Sequence, residues 1–185
     1  IISDRPGVRT KQLWELDVEL HNTILKKVLS CYYDLDYVNL SWKLSDMSFH
    51  EIIGRNKGII HQDHDVYYKD DGSDNEVAGL IYLTPDIDPD SGTSLWNLKF
   101  NAIVKPKGEA EETEHRENFT EKLRFQNIFN RLIMYDTMEW HGANSYYNGD
   151  DKDPRLTLAF FIGGIESESE FPLKRVKNNE NEIIK

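Results

Sequence analysis

Residues 59–65, with the sequence IIHQDHD, place histidine and aspartate side chains directly after two apolar residues. On an extended strand the side chains at positions i and i+2 share one face, so His61 and Asp63 point the same way. Asp65 would join them on this face if the strand continued. An imidazole nitrogen beside a carboxylate oxygen is a common pair of metal ligands. The spacing therefore predicts part of a metal site.

Two further polar positions stand next to strand-like apolar runs. His141 follows the run RLIMYD, and Arg155 begins the run RLTLAFF. On a strand, Thr157 would share a face with Arg155. A guanidinium group at the head of a mainly apolar strand needs an anionic partner, because burying an unpaired charge is costly. That partner is either a protein carboxylate or the carboxylate of a ligand.

The elements that would carry these residues are mainly strands. Residues 10–30 hold apolar side chains at spacings of three and four behind Thr10, which predicts an amphipathic helix with Thr10 as its N-cap. The apolar positions of that helix are Leu13, Leu16, Leu20, Ile24 and Val28. About eight short strand-like runs follow, separated by turn signals. We therefore expect a mainly β fold, an antiparallel sandwich, barrel or jelly roll, with a packed N-terminal helix.

One segment interrupts this pattern. Residues 105–125, KPKGEAEETEHRENFTEKLRF, are strongly charged and contain few apolar side chains. The composition is typical of a solvated loop with at most one helical turn, and a lid over the site is the alternative.

In their order along the chain, these motifs resemble the iron(II)- and 2-oxoglutarate-dependent oxygenases. The features that carry the likeness are HxD at 61–63, the residues YL of a strand-like run at 82–83, an SGT turn at 91–93 close to the family's Gly-Gly-Thr, the distal His141, and Arg-x-Thr at 155–157. The likeness covers roughly residues 58–163. It implies a double-stranded β-helix, a jelly-roll or cupin-like fold. The YLT and SGT stretches lean toward the prolyl-hydroxylase-like branch, which acts on peptide side chains.

By this resemblance, His61, Asp63 and His141 would be the ligands of Fe(II). Such a ligand set leaves positions for 2-oxoglutarate and O2. The implied activity is hydroxylation of a second substrate, a peptide or a small molecule, with succinate and CO2 as co-products. Asp63 stands where halogenating relatives have a small residue, which favours hydroxylation.

The resemblance also assigns the cosubstrate site and a role for the charged segment. Arg155 would bind the distal carboxylate of 2-oxoglutarate through its planar fork, with help from Thr157 and Tyr82. His61 and His141 are 80 positions apart, more than in compact members of the family. The excess is the segment 105–125, which by analogy would select the substrate as a lid.

Two other function classes remain open. A non-catalytic cupin-like module would hold a metal or another ligand with the same three residues, and would pair Arg155 with a protein carboxylate. A zinc-dependent hydrolase would use the same ligands and work without oxygen. Arg155 together with Thr157 favours the oxygenase, since neither alternative requires them.

Composition narrows the partners and the compartment. The 185 residues include 22 basic and 33 acidic ones, a net charge of -11, so we expect a soluble protein that binds no nucleic acid. Cys31 has no partner for an internal disulfide, which favours a reducing compartment: the cytoplasm, or the host cytoplasm if the source is viral. No apolar run is long enough to span a membrane. We expect one domain over residues 1–185, in an oligomeric state that the sequence leaves open.

Overall fold

The computed structural model describes residues 7–35, 39–52, 59–63, 75–100, 116–144 and 154–167. Two helices, α1 (Leu13–Leu16) and α2 (Val18–Leu29), lie near the beginning of the chain. The strands are β1 (Val8–Arg9), β2 (Leu40–Ser41), β3 (Leu44–Ile52), β4 (Asn75–Tyr82), β5 (Thr93–Leu98), β6 (Phe119–Phe125), β7 (Leu132–Asp136), β8 (Trp140–Ala143), β9 (Arg155–Gly163) and β10 (Glu166–Ser167). The prediction of a mainly β fold is confirmed. Among the described helices, none has the length and apolar character needed to cross a membrane.

The strands form antiparallel sheets. The larger sheet has the order β1-β3-β9-β4-β7, the smaller has the order β6-β5-β8, and β10 pairs with β2. The two main sheets pack against each other through a shared apolar cluster: Ala78, Tyr82, Ile133 and Tyr135 from the larger sheet and Leu95 from the smaller. The arrangement is consistent with a β-sandwich.

The central strand β9 has two differently used faces. Leu158, Phe160 and Ile162 pack with the helices in one buried cluster. Phe161 instead packs against the cluster between the sheets, and Arg155 lies on that inner side, over the ring of Tyr82. The alternation predicted for this strand is therefore confirmed.

The N-terminal helix differs from the prediction, because residues 10–30 form two helices that meet at Asp17. The backbone of Asp17 is extended, and its side chain accepts a hydrogen bond from the Leu20 N–H (2.9 Å), which starts α2. Thr10 is not a helix cap. Its hydroxyl accepts a hydrogen bond from the Phe49 N–H (3.1 Å) and ties this segment to β3. A short side chain that bonds the local backbone ended the helix where apolar spacing alone predicted continuity.

The buried face of the N-terminal segment also differs from the prediction. Leu16 and Leu20, predicted to face the core, are 53% and 40% exposed, whereas Leu25 is 1% exposed. Leu20 and Leu25 both lie on α2, so the buried face of this helix is offset from the apolar positions that the spacing predicted.

The charged segment also differs from the prediction. Its residues 119–125 are strand β6, paired with β5 and preceded by a 3-10 turn at Arg116–Asn118. Most side chains of β6 are exposed, so backbone pairing with β5 holds the strand in place. Its sequence therefore lacks the apolar alternation from which a strand could be predicted. Residues 105–115 lie outside the described residues, so the lid stays a prediction, as does the single domain over residues 1–185.

A matched pair of substitutions on α2 tests this packing. Leu25→Ala should lower the free energy of unfolding by about 2–5 kcal/mol, because it leaves a cavity in the buried cluster. Leu20→Ala should change it by only about 0.5 kcal/mol, since that side chain is partly in solvent. Urea unfolding of both variants measures the difference. Equal losses would contradict the burial of Leu25 and the exposure of Leu20 on α2.

Candidate metal centre

The segment that carries the HxD motif lies along β8. The His61 N–H donates to the His141 carbonyl and the His141 N–H donates to the His61 carbonyl, each at 2.9 Å. The Asp63 N–H donates to the carbonyl of Thr137 (3.0 Å). Residues 61–63 thus form an isolated bridge where the sequence predicted a strand. The extended pairing still brings the side chains of His61 and Asp63 together.

Two other residues hold this segment in place. The Gln62 side-chain amide donates to the backbone carbonyl of Met138 in the turn before β8. At position 142, a Cβ atom would lie 2.8 Å from the Ile59 carbonyl oxygen, so glycine allows the two backbones to approach. Neither Gln62 nor Gly142 could be singled out from the sequence, because both act through residues far away in the chain.

The three predicted ligands converge. Nε2 of His61 lies 3.5 Å from Oδ1 of Asp63, and Nε2 of His141 lies 3.1 Å from Oδ2 of the same carboxylate. One potential ligand atom from each residue lies within 4.8 Å of the other two. The side chains of His141 and Asp63 are 7% and 10% exposed, whereas that of His61 is 38% exposed. The cluster is therefore buried on one side and open to solvent beside His61.

Backbone carbonyls select the tautomer of both histidines. Nδ1 of His61 lies 2.9 Å from the Ile59 carbonyl oxygen, and Nδ1 of His141 lies 3.0 Å from that of Glu139. A carbonyl oxygen only accepts, so each Nδ1 carries a proton, and in the neutral form of each ring the Nε2 lone pair faces Asp63. Two lone pairs facing a carboxylate repel one another unless a cation lies between them. The donor set therefore fits a metal ion.

The local electrostatics keep these groups in the form that binds metal. Burial alone would raise the pKa of Asp63, but the imidazoles of His141 and His61, which donate to its carboxylate when they are protonated, outweigh burial and hold that pKa well below its usual range. Burial, together with the nearby His61, lowers the pKa of His141 despite the opposing effect of Asp63. Near neutral pH the carboxylate is ionised and His141 is neutral.

A tyrosine that the sequence analysis did not single out lies beside the cluster. The ring centroid of Tyr135 is 4.5 Å from that of His141, and the residue is buried. Burial and the charge of Asp63 raise the pKa of Tyr135 well above its usual value, while Arg155 opposes them. Tyr135 is therefore within electrostatic reach of both the ligand cluster and Arg155, and keeps its proton. The sequence signal for its burial was the position of Tyr135 two residues after Ile133 in the strand-like run RLIMYD.

The residues predicted to bind the cosubstrate lie together on the inner face of the larger sheet. Arg155 is buried, its Nε donates to the Ser91 carbonyl (3.0 Å), and its Cζ lies 5.6 Å from the ring centroid of Tyr82. Tyr82 and the buried Thr157 are paired across β4 and β9. The Tyr82 hydroxyl donates to Oγ1 of Thr93 (3.0 Å), and burial raises its pKa. The Tyr82 hydroxyl thus has a protein acceptor, and its contact with a ligand stays a prediction.

The SGT turn at 91–93 connects these groups. Ser91 accepts from Arg155, the Gly92 carbonyl accepts from the Asn144 N–H (2.9 Å), and Thr93 accepts from Tyr82. A Cβ atom at Gly92 would lie 1.9 Å from the Phe125 carbonyl oxygen, so only glycine fits. Gly92 is thus required by this close approach and Thr93 supplies a side-chain acceptor, whereas Ser91 meets Arg155 through its backbone carbonyl, which any residue would offer.

Gly142→Ala should weaken metal binding about 10-fold or more, because the new methyl group pushes the backbone at Ile59, and with it His61, away from β8. Calorimetric titration of the apo-protein with Co(II) measures the affinity, and circular dichroism checks that the fold is kept. Wild-type affinity in this variant would show that the close approach at Gly142 does not position the ligands.

Acidification from about pH 7.5 to about pH 5.5 should destabilise the metal-free protein partly through His141. The unfolded chain protonates this residue near its ordinary pKa of about 6.5, whereas the folded state does so only at lower pH. Stability from neutral His141 is thus present above about pH 6.5 and is lost as the pH falls. In urea unfolding, His141→Gln should show a shallower decline with pH. Parallel curves for the two proteins would contradict this assignment.

No known family model and no curated protein matches the sequence. Two crystal structures of EvdO2 from Micromonospora carbonacea var. aurantiaca match 93% of this chain and 73% of their own, and one is a complex with 2-oxoglutarate. Their TM-scores are 0.51 and 0.50, at 12% and 10% sequence identity. AviO1 from Streptomyces viridochromogenes Tue57 matches 88% of this chain and 70% of its own, at 16% identity and a TM-score of 0.46. At the level of fold, this chain is therefore similar to EvdO2.

Proposed function

We propose that the protein is an Fe(II)- and 2-oxoglutarate-dependent dioxygenase that hydroxylates a second substrate. The observation that carries the proposal is the convergence of His61, Asp63 and His141 at one partly open site. Two imidazoles and one carboxylate are the facial ligand set of non-haem Fe(II) oxygenases. The similarity in fold to EvdO2, which was crystallised with 2-oxoglutarate, supports the same cosubstrate here.

The residues present fit this role. Nε2 of His61, Nε2 of His141 and an oxygen of Asp63 would hold the metal, and bound Fe(II) would supply the dioxygen chemistry that couples decarboxylation of 2-oxoglutarate to hydroxylation. Arg155 would bind the distal carboxylate, because a guanidinium group matches a carboxylate with two parallel charge-assisted hydrogen bonds. The buried hydroxyl of Thr157 would assist on the same face of β9.

We also propose a type of fold, a class of substrate and a cellular compartment. The facing sheets support a double-stranded β-helix with the two helices packed outside. The open side of His61 is where a peptide or small-molecule substrate would enter. The prolyl-hydroxylase-like branch is supported by the YLT and SGT stretches alone. The net charge of -11 favours a neutral or basic substrate and disfavours nucleic acid. The single cysteine, Cys31, favours the cytoplasm.

Anaerobic titration of the apo-protein, first with Fe(II) and then with 2-oxoglutarate, tests the proposal. We expect the weak visible absorption band of a 2-oxo acid chelated to Fe(II). Bound metal without this band would contradict the oxygenase and favour the cupin-like binding module.

Arg155→Ala should weaken 2-oxoglutarate binding in this titration by about 1.5–3 kcal/mol, the usual contribution of hydrogen bonds to a charged group. The affinity for 2-oxobutyrate, which lacks the distal carboxylate, should stay unchanged and serves as the internal control. An unchanged affinity for 2-oxoglutarate would remove Arg155 from the cosubstrate site.

A further inference from the structure

Asn127, between β6 and β7, is a buried amide with no role in the proposed site so far. It is 3% exposed, and its Nδ2 donates to Oγ of Ser91 at 3.0 Å. Its backbone N–H donates to the carbonyl of Pro89 (2.9 Å). Asn127 thus binds the turn before β5 through both its backbone and its side chain.

Ser91 passes this contact on to Arg155. The Ser91 side chain is fully buried, and its hydroxyl donates to the Asp88 carbonyl (2.6 Å) while accepting from Asn127. These two hydrogen bonds hold the Ser91 hydroxyl from both sides and so restrain the residue within the turn. The carbonyl of that residue accepts the Nε–H of Arg155. The guanidinium plane is therefore oriented by a chain of buried hydrogen bonds that begins at Asn127.

Stability alone does not explain an asparagine at position 127. Its Oδ1 is buried and has no hydrogen-bond partner among the described residues. A buried acceptor without a partner is costly, and an apolar side chain of similar shape would avoid that cost. What the asparagine supplies is the Nδ2 donor to Ser91, which points to a positioning role.

We propose that Asn127 is a positioning residue that, through Ser91, directs Arg155 toward the distal carboxylate of a 2-oxo diacid. The inference rests on the proposed function, because it explains how that site would distinguish 2-oxoglutarate from a 2-oxo acid with one carboxylate. A planar guanidinium group binds a carboxylate with two parallel bonds only in a fixed orientation. Asn127 does not touch the ligand in this scheme.

The position of Arg155 can be measured without any ligand. Hydrogen exchange of the Arg155 Nε–H, assigned by its absence in Arg155→Lys, should be slow in the wild type because the group is buried and bonded. It should be about tenfold or more faster in Asn127→Ala, through local opening at Ser91. The matched control is Asn97→Ala, at an exposed position of β5, which should leave the exchange unchanged.

Binding then tests the consequence. Under anaerobic conditions with Fe(II), Asn127→Ala should weaken 2-oxoglutarate about tenfold, with 2-oxobutyrate and the metal itself unaffected. In an Arg155→Ala background, Asn127→Ala should cause no further loss, because its effect runs through Arg155. Ser91→Ala removes only the linking hydroxyl and should act in the same direction, so it serves if Asn127→Ala does not fold.

The outcomes separate this inference from the proposed function. Unchanged Nε–H exchange in Asn127→Ala, or equal weakening of both 2-oxo acids, would overturn the positioning role. A wild type that binds metal without 2-oxoglutarate, while Asn127→Ala still releases the Arg155 Nε–H, would overturn the proposed function and support the positioning of Arg155. Selective loss of 2-oxoglutarate binding together with faster exchange supports both.

Discussion

The reciprocal backbone hydrogen bonds between His61 and His141 are the contact on which the candidate site depends. They join two residues 80 positions apart and set both imidazoles side by side, with ring centroids 4.4 Å apart. Because the bonds are made by the backbone, the side chains stay available to a ligand. In the same segment the Asp63 N–H donates to the carbonyl of Thr137, so this short backbone pairing positions all three candidate ligands.

The central strand β9 couples this site to the stability of the fold. Its outer face packs with α2 in the apolar cluster that includes Leu158 and Phe160, whereas its inner face presents Arg155 and Thr157. Well-packed cores tolerate little displacement, so the packing of the helices holds β9 in place. The backbone from which the Arg155 side chain extends is held with it. The SGT turn then fixes the other end of that side chain.

The sequence was informative where a local rule applied. The shared face of His61 and Asp63, and that of Arg155 and Thr157, follow from the two-residue period of extended chain. It failed where structure depends on distant contacts: β6 is a strand because it pairs with β5, and Asn127 matters because it meets Ser91. The helix break at Asp17 depends on a local contact, the hydrogen bond by which its side chain caps α2. The regular apolar spacing across this position predicted a continuous helix instead.

The opposite charges of Asp63 and Arg155 relate the candidate metal centre to the candidate cosubstrate site. Asp63 and Arg155 are both buried and ionised, at separate places, and each is costly to keep away from water. With neutral histidines, a divalent metal ion beside Asp63 and a doubly charged 2-oxo diacid reaching from that metal to Arg155 would leave these four groups together without net charge. A mono-acid would leave one positive charge over. A site of this kind therefore gains most from a ligand that is both dianionic and long enough to meet Arg155, and binding of that ligand would stabilise the fold.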